Sequence, residues 1–122
     1  MNNTTCKDRI DKHLKYREDD FLRFMNNNDD DEINSEFHNY GLSFTFEKAT
    51  RKQGPHYKFL LSWGGPSDEI RFYDCGIIEY WFMDWGDGAF IDITKKEWAI
   101  WLKDFFCEIG SIKEDKRIEY GS

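Results

Sequence analysis

Seven carboxylates crowd residues 62–94 of this 122-residue chain: Asp68, Glu69, Asp74, Glu79, Asp84, Asp87 and Asp92. At that density carboxylates can ligate a divalent cation, move a proton, or present charge to a partner, and their spacing decides among these. Asp84, Asp87 and Asp92 in the run DWGDGAFID sit beside glycine turns, yet the run lacks the DxDxDG order by which a calcium loop gathers about six to eight oxygens. Glu79, beside Tyr80 and Trp81, has the apolar setting that favours a neutral carboxyl and so suits a proton donor. The same position in an alternating strand places it among Ile77, Trp81 and Met83, where a structural ion pair with Arg71 on the preceding strand is the expected outcome. His13, His38 and His56 are scattered without ligand spacing, and Cys75 has no basic neighbour to activate it. The run GGPSD at residues 64–68 lacks the GxxxxGK[ST] order of a phosphate loop, and Asp68 and Glu69 would repel phosphate. No catalytic residue, metal site or cofactor is expected.

The elements that must position these groups are legible from periodicity. Ile10, Leu14, Phe21, Leu22 and Met25 form the apolar stripe of a helix over residues 5–25, capped by Thr4 or Thr5. The interleaved acids and bases of residues 7–23 read as its solvated face. NNNDDDE at residues 26–32 combines poor helix formers with like charges, which predicts a mobile acidic linker over residues 26–36. Strands follow over residues 41–48, 56–63, 69–73, 77–85 and 89–93, separated by turns at residues 64–66, 74–76 and 86–88. Residues 77–85 are apolar on both faces, which predicts a central strand covered by a helix on its second side. Thr94 and Glu97 have capping-box spacing, so a helix should begin there with Trp98, Trp101, Leu102, Phe105, Phe106 and Ile109 on one face and Gly110 as its stop. That stripe is the expected cover for the fourth strand.

The expected fold is α+β: an about five-stranded, mainly antiparallel sheet with a C-terminal helix packed on one face and an N-terminal helix. The domain reading is an N-terminal helical segment (residues 1–25), an acidic linker (26–36), an α+β core (37–110) and a flexible tail (111–122).

With 24 acidic and 17 basic side chains the net charge is -7, which disfavours direct binding to nucleic acid or anionic lipid. Three cysteines outside any CxxC pair suit a reducing cytoplasm. No apolar run approaches the roughly 20 residues that span a bilayer, and MNNTTCKDRIDK lacks a signal-peptide apolar region. A cytoplasmic chain is expected.

SWGGPSDEIRFY followed by IEYWFMDWGDGA resembles a family of small acidic bacterial proteins carried on plasmids, integrative elements and phages. The resemblance spans residues 42–106 and rests on Gly64, Gly65, residues 67–69, residues 78–81 and residues 87–89. It implies a mobile-element context and assigns no activity. The resulting expectation is a nonenzymatic interaction module that inhibits or modulates a host nucleic-acid-binding or defence complex, in an anti-CRISPR-like or DNA-mimic mode. Its contact surface would be Asp68, Glu69, Asp84 and Asp87 at turns with Asp29, Asp30, Asp31 and Glu32, facing a basic host surface. The rival is a small metal-dependent hydrolase or nuclease-like enzyme using Glu79, Asp84 and Asp92. A third reading is a structural homodimer joined through Trp85 or an edge strand.

Overall fold

The computed structural model describes residues 5–113. Five strands follow one another as β1 (Ser43–Glu47), β2 (His56–Ser62), β3 (Ser67–Tyr73), β4 (Ile78–Asp84) and β5 (Asp87–Asp92). Each pairs antiparallel with the next, so the sheet is a simple meander. The helices are α1 (Cys6–Asn26), α2 (Asp31–His38) and α3 (Glu97–Glu108), which completes the expected α+β fold.

Register decides what faces the core. Phe44, Phe59, Ile70, Tyr80 and Ile91 form one cross-strand row and therefore share a face. Helix α1 covers the β4–β5 side of that face, with the His13 ring stacked on Phe82 at 4.2 Å. Helix α3 covers the β1–β3 side, where Phe106 lies 4.2 Å from Phe44, 5.0 Å from Phe59 and 5.9 Å from Phe72. The two helices meet through Phe21 and Trp98, whose rings stack at 5.1 Å. Helix α2 closes the outer edge by inserting Phe37 between Phe24, Trp101 and Phe105.

Several expectations are corrected. The cover of β4 is α1, not α3: α1 packs on β4 and β5 with the His13 ring on Phe82, while Phe21 further along it meets Phe59 of β2 and Trp98 of α3. No helix among the described residues covers the second side of β4; there Trp81 stacks on Phe90 at 4.8 Å and under the Arg71 guanidinium. Residues 31–36, expected as part of the linker, instead belong to α2, which forms because Asp30 caps it through the Ile33 amide and Phe37 has a buried site to fill. The capping box at Thr94 does not form. Thr94 instead bonds Asp92 and the Ile78 backbone, and Lys96 precedes α3 without a side-chain cap. A capping box does form at the other helix, between Thr5 and Asp8.

Gly110 stops α3 as expected, with φ 83° and the Ser111 and Gly110 amides returning to Phe106 and Cys107. The chain beyond it is held rather than loose at first: Ile112 is buried and the Lys113 amide meets the Tyr57 hydroxyl at 3.3 Å. The remaining tail residues, 114–122, lie outside the described residues. Gly41 has a tighter role, since a Cβ there would come within 2.0 Å of the Phe59 ring. At the β1 edge Leu42 and Phe46 are exposed, although they alternate in step with Phe44, which packs on Phe106.

Candidate functional site

Asp68 was expected at an exposed turn and is instead inside the protein, 4% exposed, because β3 begins two residues before the expected start at Glu69. It lies on the helix-covered face opposite Phe82. Arg17 of α1 forks onto both of its oxygens at 2.7 and 2.9 Å, the Ser62 hydroxyl donates at 2.5 Å and the Tyr80 hydroxyl at 2.7 Å. Arg17 also donates to the Tyr40 hydroxyl, which in turn donates to Asp20. Burial alone would raise the Asp68 pKa; hydrogen bonds from Arg17, Ser62 and Tyr80, with the Arg17 charge, outweigh it and hold the carboxyl below its usual value. Every oxygen is engaged within the fold, so the cluster fastens α1 to the sheet.

Glu69 is buried on the other face and accepts from Arg71 Nε at 2.7 Å. This corrects the expected Arg71–Glu79 ion pair. Glu79 stands opposite Arg71 in register but accepts from the Trp81 indole at 2.9 Å. The Arg71 guanidinium lies 3.9 Å from the Trp81 ring centre, which makes the row a cation–π stack with a carboxylate at each side.

Asp84 and Asp87 do not stand free either. Arg9 donates to Asp84 at 2.8 Å, and the Asp84 side chain is 12% exposed. Asp87 lies in β5 rather than in a turn, and one oxygen accepts the Cys6 amide at 2.8 Å, serving the N-terminus of α1. Asp29, Asp30, Asp31 and Glu32 are exposed as expected. They follow the C-terminal end of α1, however, whereas Asp84 and Asp87 sit at its N-terminal end. A helix of 21 residues separates the groups by about 30 Å. The expected single acidic surface is therefore not assembled.

The metal-dependent set does not converge. Glu79 and Asp92 are cross-strand partners on the open face, while Asp84 points to α1 on the covered face. Among the described residues no group of three or more His, Cys, Asp or Glu side chains could hold a metal ion. His13 packs on Phe82, His56 bonds the Gly54 carbonyl, and Cys75 is exposed in the β3–β4 turn. No described helix is long and apolar enough to cross a membrane.

What the sheet does leave unoccupied is aromatic. Trp63, in the β2–β3 loop, is 79% exposed, and Trp85, in the β4–β5 turn, is 94% exposed. With Gly64, Ser67, Met83, Asp84, Gly86, Asp87 and Gly88 they line one open groove of about 460 Å³. Asp84 and Asp87 pair across a two-residue turn in which Trp85 has φ 50° and Gly86 φ 74°. Such turns favour Asn-Gly, because a side chain with a bulky Cβ substituent resists the left-handed region. A tryptophan there is unfavourable for backbone and solvent alike. Trp85→Asn is accordingly expected to raise the unfolding free energy by about 0.5–1 kcal/mol, read by urea denaturation; a loss of stability would show that the indole supports the fold.

The β-meander with one helical layer and this groove define the chain as an α+β domain with an aromatic surface at one end of its sheet. No protein-family model, curated protein or solved structure matches it. The buried Arg17–Asp68 pair was missed, although a signal existed: the buried positions 10, 14, 21 and 24 leave a helical gap at position 17, which an arginine fills.

Proposed function

We propose that this chain is a nonenzymatic protein-interaction domain, and that it engages a host protein or nucleoprotein complex with a basic surface through the Trp63 and Trp85 end of its sheet. One observation carries this reading: a tryptophan, 94% exposed, occupies the left-handed turn position 85, where nothing in the fold requires an indole. Tryptophan is among the residues that dominate binding energy when a partner desolvates it. The net charge of -7 favours encounter with a basic surface and disfavours nucleic acid itself. Covering a basic groove would exclude nucleic acid from it, which is the route to inhibition in a mobile-element setting. Because Asp68 and Glu69 are buried, the mode is aromatic docking with an acidic rim rather than mimicry of a phosphate row.

The test compares host proteins captured by the purified chain and by a Trp63→Ala/Trp85→Asn variant of unchanged circular dichroism. A defined partner that the variant loses at least tenfold supports the reading. Equal capture by both chains, or a dimer in solution that the variant dissociates without any other partner, would overturn it.

A further inference from the structure

The groove at Trp63 and Trp85 has a chemistry that specifies what it takes. The charged residues lining it are Asp84 and Asp87, both acidic. Only Asp87 presents a carboxylate at the surface of the groove. Arg9 takes only Oδ2 of Asp84; Oδ1 is buried without a hydrogen-bond partner and lies beside Gly65 of the β2–β3 loop. Asp87 gives Oδ2 to the Cys6 amide and is itself exposed. The aromatic surfaces and the exposed Asp87 carboxylate thus share one groove, and its glycines at positions 64, 86 and 88 carry no side chain to fill it.

Resting on the interaction reading above, we infer that this groove is a receptor for an arginine side chain of the partner protein. A guanidinium is planar, weakly hydrated and always charged, so it stacks on an indole while its N–H fork reaches carboxylate oxygens. A lysine ammonium is compact and strongly hydrated, so it gains less from an indole face. The same pairing already exists inside the protein, where the Arg71 guanidinium lies over Trp81 while bonding Glu69. The groove offers two indoles and the exposed Asp87 carboxylate, Asp84 being already held by Arg9.

The probe is Ac-Gly-Arg-Gly-NH2, titrated into the full chain while the indole N–H resonances of Trp63 and Trp85 are followed by NMR. Saturable shifts of both are expected, weakening at least threefold in Asp87→Asn, which keeps an oxygen for the Cys6 amide while removing the charge. Trp85→Asn should abolish saturation at Trp63. Peptides with citrulline, lysine or glutamate in place of arginine should bind at least fivefold more weakly. Absence of saturation, equal binding of any of those three peptides, or unchanged affinity in Asp87→Asn would overturn the inference. If the tryptophan variant loses its protein partner while the arginine peptide does not bind, the interaction reading stands and the arginine assignment alone fails.

Discussion

Replacing Asp68 with asparagine is expected to lower the unfolding free energy by about 3–5 kcal/mol, the usual cost of removing one member of a buried charge pair. Asparagine keeps one acceptor oxygen but no charge, which leaves Arg17 partly buried beside a neutral amide and at least one of the Ser62 and Tyr80 hydroxyls short of its acceptor. For a domain of ordinary stability, about 5–15 kcal/mol, that is a large share of the total. Urea denaturation measures it, and Arg17→Met combined with Asp68→Leu should cost much less than the sum of the single changes. Additivity would show that the two residues act separately. The pair also sets an acid limit. Because the folded-state pKa of Asp68 is lowered, its stabilisation is fully present above the unfolded pKa of about 3.9 and is lost as pH falls through the folded value. Wild-type stability should therefore drop below about pH 4 more steeply than that of the asparagine variant; parallel curves would remove Asp68 as the cause.

Trp98→Ala should cost about 3–5 kcal/mol. The side chain is almost completely buried, stacks on Phe21 at 5.1 Å with the rings 2° from parallel, and donates its indole N–H to Glu18 at 2.8 Å. Alanine would leave a cavity where α1 meets α3 and would free Glu18 from one of its two donors, the other being Lys96 at 2.9 Å. Trp98→Phe keeps most of the volume and loses the hydrogen bond, so it should cost about 1–2 kcal/mol. Equal losses in the two variants would assign the effect to the hydrogen bond rather than to packing. The contrast with Trp85 is sharp: the same residue type is essential at one position and unfavourable to folding at the other. That difference is what motivates the proposal of a contact role for Trp85.

The fold was legible where a pattern has one physical meaning. Alternation placed the first two strands because half-buried strands must alternate, the turns at residues 64–66, 74–76 and 86–88 marked off the other three, and Gly110 stopped α3 because its left-handed conformation favours glycine. Patterns with two meanings were misread. NNNDDDE reads as linker until Phe37 finds its place among Phe24, Trp101 and Phe105, and packing then outweighs poor local propensity. Thr94 has capping-box spacing, but its hydroxyl is already taken by Asp92. The mixed charges of α1 read as solvated because sequence separation hides that Arg9 meets Asp84 and Arg17 meets Asp68.

From the sequence alone come the strands, the terminal helices, the acidic balance and the lack of a catalytic motif, because each follows from local periodicity or simple counting. Only the tertiary structure decides which carboxylates reach solvent, since that depends on residues some 50 to 80 positions away, such as Arg17 for Asp68 and Cys6 for Asp87. Those pairings take Asp68, Glu69 and Asp84 out of the surface expected to make contact and leave Trp63 and Trp85 exposed beside Asp87, an exposure that no local pattern specifies. An aromatic residue in a turn and one in a core obey the same hydrophobic preference, and only the packing of distant elements determines which is covered.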